Sequence, residues 1–147
     1  MNSSKFLKAL DLQSNTTPPV WFMRQAGRYL PEYQEIRKNY TNFLDMCKQP
    51  ETCAELALQP IDRYGLDASI LFSDILTIPD AFNLGLAFHE GEGPKFSNPI
   101  SSAEDINRLD IFDVNSLSYV FKAVEETKNL LPKDLPFIGF CGSPWTL

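Results

Sequence analysis

The segment PVWFMRQAGRY at positions 19–29 is the part of the sequence from which fold and site are most directly predicted. Its apolar run, Val20–Met23, has the length and composition of a buried strand, and we predict a strand over Val20–Arg24. Arg24 and Arg28 follow it, separated by a glutamine, an alanine and Gly27, which allows the backbone to turn or to approach a ligand. Two guanidiniums at a strand end form a potential carboxylate site, because each can bind a carboxylate with two parallel hydrogen bonds. From these residues alone, the alternative that both arginines pair with Glu32, Glu35 or Asp62 stays open.

Composition excludes several classes of protein. The 147 residues are 44% hydrophobic, which supports a folded core, and the net charge of −6 argues against a nucleic-acid partner. No signal peptide or membrane helix is predicted, because no apolar run is long enough. Three cysteines without CxxC spacing indicate reduced thiols in the cytosol. A lone histidine, His89, does not predict a metal site, since zinc requires three or four ligands.

The remaining pattern alternates helices and strands. We predict helices over 5–10, from Pro31, over 41–48 and over 50–64, a partly helical segment 75–86 broken by Pro79, a loop or hairpin over 87–99, and a capped helix from Ser101 or Ser102. A further helix over 115–131 is predicted to bury one apolar face, formed by Leu117, Val120, Phe121, Val124 and Leu130.

Two more strands, 67–74 and 136–142, complete an α/β pattern with a parallel sheet. Ligands of such sheets bind at the carboxyl ends of the strands. The residues predicted to lie together at that end are therefore 24–28, Asp74 and 140–142.

Three motifs resemble the uroporphyrinogen decarboxylase family: PVWFMRQAGRY at 19–29, FSDIL at 72–76 and GFCGSPWTL at 139–147. The segments ELALQP at 55–60 and GEGP at 91–94 also fit the family's pattern. The resemblance covers essentially the whole chain in order and spacing. Cys141 and Ser143 depart from it, because the family more often has small apolar residues there.

The resemblance implies a (β/α)8 TIM barrel, of which this chain would hold about the first three β/α units, since such barrels need roughly 250 residues. Residues 1–147 would be the N-terminal part of that single barrel domain, with 1–18 as a polar lead-in. The family removes four acetate carboxyls from uroporphyrinogen III to give coproporphyrinogen III. It acts without metal or organic cofactor and as a cytosolic homodimer. The isolated piece is expected to be inactive and prone to aggregate through exposed strand edges.

The resemblance also implies roles for individual residues. Asp74 is the expected catalytic carboxylate, facing the pyrrole N–H groups of the substrate, although Ser73 or Asp74 could instead cap a helix starting at Ile75. Phe140 is expected to pack on a pyrrole face, with a role in the barrel core as the alternative. The remaining expected substrate-binding residues form one run: Arg24, Gln25, Ala26, Gly27 and Arg28.

Two other interpretations are kept. A methyltransferase of the same superfamily, using a corrinoid or thiol acceptor, is the nearer one, although Arg-Gln-Ala-Gly-Arg favours the decarboxylase. A non-catalytic module built from part of a barrel is the other.

Overall fold

The computed structural model describes residues 4–23, 29–88, 93–109 and 113–146, and these form mainly helices with a few short strands. The helices are α1 (Lys5–Leu10), α2 (Pro31–Arg37), α3 (Phe43–Cys47), α4 (Pro50–Tyr64), α5 (Thr77–Ala81), α6 (Ala103–Asn107), a 3₁₀ helix (Val114–Leu117) and α7 (Ser118–Leu130). The strands are β1 (Ser69–Ile70), β2 (Leu86–Phe88), β3 (Pro94–Phe96) and β4 (Phe137–Ile138). The predicted mixed α/β class is confirmed.

Local sequence signals set the helix boundaries. Helices α2 and α4 both begin at a proline, which has no N–H to leave unpaired in a first turn. Helix α4 ends at Gly65, whose φ of +61° is the left-handed conformation that glycine adopts at little cost. Helix α6 begins with the predicted capping box, in which Ser102 and Asp105 exchange side-chain and backbone hydrogen bonds. These helix predictions are confirmed.

Pro79 does not break the segment after β1, contrary to the prediction. It is the third residue of α5, which runs without interruption from Thr77 to Ala81. The first turn of a helix has no intrahelical acceptor for its N–H groups, so a proline there removes nothing the helix would use.

Strands β1 and β4 form the predicted parallel pair, with Ser69 opposite Phe137 and Ile70 opposite Ile138. Backbone hydrogen bonds extend the pairing on both sides, from Ser69 N–H to Pro136 C=O at 2.9 Å and from Leu71 N–H to Ile138 C=O at 3.0 Å. Both strands are shorter than the predicted 67–74 and 136–142. The apolar run predicted the position of each strand, whereas its paired length depends on the neighbour.

The predicted buried strand Val20–Arg24 is wrong over its described residues, 20–23. They form no strand, and Val20, Phe22 and Met23 are exposed. One point of the segment is nevertheless held beside β1: Val20 N–H donates to the Asp67 carboxylate at 2.8 Å, and Asp67 N–H donates to Val20 C=O at 2.9 Å. An apolar run becomes a strand only where a neighbouring strand continues the ladder.

The core lies between α2, α3, α4, α7 and the carboxyl end of β1. Its buried residues are Leu30, Tyr33, Met46, Cys47, Cys53, Leu56, Leu71, Phe72 and Ala123. The apolar face predicted for α7 is only partly right, because Phe121 and Leu130 are each 55% exposed while Ala123 and Thr127 are buried. Helix α7 packs along α4, and small side chains allow the two axes to approach.

An antiparallel hairpin, β2–β3, follows α5 and confirms the hairpin prediction for 87–99, with Leu86 opposite Phe96. The ring centroid of Phe88, the last residue of β2, lies 6.1 Å from that of Phe43 in α3. Phe43 also lies 5.8 Å from Phe72, so aromatic contacts connect the hairpin to the end of β1.

Candidate functional site

Asp74 lies four residues beyond the last residue of β1, at the carboxyl end of the parallel pair. Its Oδ1 accepts a hydrogen bond from Leu76 N–H at 2.7 Å. The carboxylate thus caps the turn at 75–76, while α5 itself begins later and has no side-chain cap. Asp74 therefore caps a turn that precedes α5 and does not cap the helix itself. Since one carboxylate oxygen makes this bond, capping and ligand binding by Asp74 are compatible.

Phe140 follows β4 by two residues and is 40% exposed. Because β1 and β4 are parallel and paired in register, Asp74 and Phe140 leave the sheet at the same end. A half-exposed aromatic ring at this end of the sheet can pack against the apolar face of a ring-shaped ligand.

The arginine segment, with its predicted residues Arg24, Gln25, Ala26, Gly27 and Arg28, lies outside the described residues. Its described neighbours are exposed, Met23 by 74% and Tyr29 by 66%.

Two of the three acids proposed as alternative partners of those arginines, Glu32 and Glu35, have partners of their own. Arg63 holds Glu32 through two hydrogen bonds of 2.7 and 2.8 Å, and Lys38 holds Glu35 at 2.6 Å. Pairing with Arg63 lowers the pKa of Glu32. Two of the three alternative acids are therefore already paired, and the pairing of the arginines with Asp62 stays an open alternative.

The charge of Asp74 raises the pKa of two groups near it. Burial raises the pKa of the Cys47 thiol most, and the neighbouring Cys53 and Asp74 raise it further. Burial likewise raises the pKa of Tyr119 to about 12, with added contributions from Asp80, Cys47 and Asp74. Asp74 thus acts electrostatically on Cys47 and Tyr119, which lie on elements packed near it.

One ion pair near Asp74 was missed by the sequence reasoning. Lys48, in the linker between α3 and α4, contacts Asp80 of α5 with Nζ 2.8 Å from Oδ2. The Lys48 ammonium also lies 6.0 Å from the ring centroid of Tyr119. Lys48, Asp80 and Tyr119 are far apart in the sequence and share no local motif. Only the three-dimensional structure shows that they lie together.

A cavity of about 780 Å³ opens beside this cluster, between α5, the 3₁₀ helix and α7. Lys48, Asp80 and Tyr119 line it, whereas Asp74 and Phe140 do not. This cavity is therefore separate from the predicted site residues Asp74 and Phe140.

The described residues contain neither a metal-binding cluster nor a membrane-spanning helix. Within 4–23, 29–88, 93–109 and 113–146, no group of three or more His, Cys, Asp or Glu side chains could hold a metal ion. Over the same ranges, no helix is long and apolar enough to cross a bilayer.

Comparison with known protein families identifies the family of this chain. A family model described as uroporphyrinogen decarboxylase (URO-D) matches residues 1–147. The chain belongs to the uroporphyrinogen decarboxylase family. Among curated members, the uroporphyrinogen decarboxylases of Legionella pneumophila (strain Philadelphia 1) and Methylobacillus flagellatus are 56% and 53% identical to it over 148 residues. That of Vesicomyosocius okutanii is 54% identical over 145 residues.

The family assignment covers all of this chain but only part of each relative. The alignments include 100% of the chain for the Legionella and Methylobacillus proteins and 99% for the Vesicomyosocius protein, and 42% of each relative. A solved structure, a methyltransferase from Methanosarcina mazei, superposes with a TM-score of 0.72 over 99% of the chain and 44% of its own length. At 19% identity this likeness concerns the fold alone.

Proposed function

We propose that this chain is the N-terminal part of a (β/α)8 TIM barrel that converts uroporphyrinogen III to coproporphyrinogen III by removing four acetate carboxyls. The observation that carries the proposal is Asp74, a carboxylate at the carboxyl end of a parallel strand pair, in a chain of the decarboxylase family. The matched length, 42% of the relatives, supports about three of eight β/α units.

In the proposed reaction the substrate itself accepts the electrons. Protonation of a pyrrole carbon makes the ring a cationic iminium. The bond between the acetate methylene and its carboxyl group then breaks, CO2 leaves, and the electron pair neutralises the iminium. A proton added to the methylene carbon completes the methyl group, and the ring carbon returns its proton. The task usually given to a cofactor is thus done by the pyrrole, so no cofactor is proposed.

Asp74 stabilises the cationic ring in this scheme. Its carboxylate accepts hydrogen bonds from pyrrole N–H groups and faces positive charge as it develops. The bond from Leu76 N–H fixes the carboxylate beforehand, so little reorganisation is needed during the reaction. Phe140 packs on a pyrrole face.

The arginine segment binds the rim of the macrocycle. Arg24 and Arg28 hold substrate carboxylates, each contact contributing about 1.5–3 kcal/mol. Gln25, Ala26 and Gly27 lie against the substrate, in part through backbone N–H groups.

The remaining parts of the proposal concern assembly and location. The enzyme containing this chain is a homodimer that works in the cytosol, where the three cysteines, all free thiols, stay reduced. The 147 residues alone are inactive, because the active site of a barrel takes residues from the ends of several strands.

A chimera tests the proposal. Residues 1–147 replace the aligned 42% of the Legionella pneumophila relative, and the products from uroporphyrinogen III are separated chromatographically after oxidation. We expect coproporphyrin as the final product, at a rate within about tenfold of the parent enzyme. Asp74→Asn should lower kcat by about 100-fold or more, because it removes charge while keeping shape.

The matched control is Asp113→Asn, an exposed aspartate that also caps a turn, through the N–H of Asn115 at 2.9 Å. It should leave turnover unchanged. A folded chimera that forms no decarboxylated product would refute the proposed function, and normal turnover in Asp74→Asn would refute the role of Asp74.

A further inference from the structure

The ion pair between Lys48 and Asp80 connects two elements that are far apart in sequence. Nζ and Oδ2 lie 2.8 Å apart, and the two side chains are 41% and 23% exposed. Partial burial reduces screening by water and salt, so this pair contributes more than an ordinary surface pair.

From Asp80, a continuous series of hydrogen bonds leads to the candidate catalytic carboxylate. Asp80 N–H donates to Leu76 C=O at 2.9 Å. Leu76 N–H in turn donates to Asp74 Oδ1 at 2.7 Å. Three contacts therefore separate the ammonium of Lys48 from the carboxylate of Asp74.

The short helix in this series needs support from outside. Helix α5 has five residues, and an isolated helix of that length is not stable in water. The position of the turn at 75–76 consequently depends on what holds α5, and the Lys48–Asp80 pair is a contact at its last turn.

Lys48 is itself well anchored. Its N–H donates to Leu44 C=O at 2.9 Å at the end of α3, and α4 begins two residues later at Pro50. Its ammonium lies over the ring of Tyr119 on α7, 6.0 Å from the centroid. Lys48 is thus held next to α3, α4 and α7, and its ion pair with Asp80 holds α5 against them.

We propose that Lys48 is a positioning residue for Asp74: through Asp80 it holds α5 and, with it, the turn that fixes the catalytic carboxylate. This rests on the decarboxylase function proposed above. Loss of the ion pair would leave substrate binding by the arginine segment largely intact while misplacing Asp74 in the transition state.

The chain contains a matched control pair at the opposite end of the same strand. Lys5 and Asp67 lie 2.9 Å apart, with side chains 44% and 18% exposed, before β1 begins. Asp67 is seven positions before Asp74, roughly 20 Å along an extended chain. Lys5→Met therefore removes an ion pair of similar geometry and exposure without touching α5.

The experiment compares Lys48→Met, Lys48→Arg and Lys5→Met in the chimera described above. For Lys48→Met we expect kcat to fall about fivefold with KM within twofold, the loss of one partly buried ion pair. Lys48→Arg should restore most of kcat, and Lys5→Met should leave both constants unchanged.

A second readout does not depend on activity. Amide hydrogen exchange in residues 74–82, measured by mass spectrometry, should be about fivefold faster in Lys48→Met and unchanged in Lys5→Met. Exchange or kcat for Lys48→Met that matches Lys5→Met would overturn the inference. If the unsubstituted chimera is inactive, the proposed function fails, and exchange alone still decides whether Lys48 holds the Asp74 turn.

Discussion

Asp74 has a structural and a proposed catalytic task, and two substitutions separate them. Asp74→Ala removes both the acceptor for Leu76 N–H, a bond of 2.7 Å in a partly buried turn, and the charge. Losing such a capping bond costs about 1–2 kcal/mol of unfolding free energy. Asp74→Asn keeps a side-chain oxygen that can accept the same bond, so its cost should be less than about 1 kcal/mol.

Activity should follow a different order from stability. Both variants lack the negative charge, so both should lose about 100-fold or more in kcat. Stability is measured by urea unfolding of the chimera followed by far-UV circular dichroism, and turnover by product analysis. The reasoning fails if Asp74→Asn is as destabilised as Asp74→Ala, or if Asp74→Asn retains turnover within threefold of the unsubstituted protein.

Three further predictions concern residues 1–147 and are tested in the same chimera. Cys141 is exposed, whereas Cys53 is buried and burial raises the pKa of its thiol to about 12. At pH 8 a thiol reagent should therefore label Cys141 rapidly and Cys53 only after denaturation, as counted by mass spectrometry. Gly65→Ala should cost about 1 kcal/mol in urea unfolding because φ is +61°, whereas Gly93→Ala, with an ordinary φ and open space, should not. Burial raises the pKa of Asp67, but the hydrogen bonds from Lys5 and from Val20 N–H lower it by more. Asp67→Asn should therefore lower the free energy of unfolding at pH 6. The loss of unfolding free energy should shrink as pH falls below about 4, where Asp67 becomes protonated in both states.

Helix boundaries were predictable because the signals that set them lie within one turn of the chain. Pro31 and Pro50 begin helices, Gly65 ends one, and Ser102 with Asp105 caps another, all as the sequence indicates. Each depends on the conformational preference of a residue or on a hydrogen bond between near neighbours.

Candidate site residues were predictable in part for a related reason. A residue that closely follows a strand must lie at the carboxyl end of that strand, whatever surrounds it. Asp74 and Phe140 are placed there by the parallel pairing of β1 and β4. The arginine segment 24–28 remains a prediction from its motif.

Sequence alone was enough for the starts of α2, α4 and α6, for the end of α4 and for the family, because these depend on short-range chemistry and on motifs. Tertiary structure decided the rest. Whether Val20–Met23 becomes a strand depends on a neighbour to pair with, and which face of α7 is buried depends on the close approach of α4. The pairing of Lys48 with Asp80, 32 positions later in the chain, follows from that same packing, since a single charge in a sequence carries no information about which opposite charge folding will bring beside it.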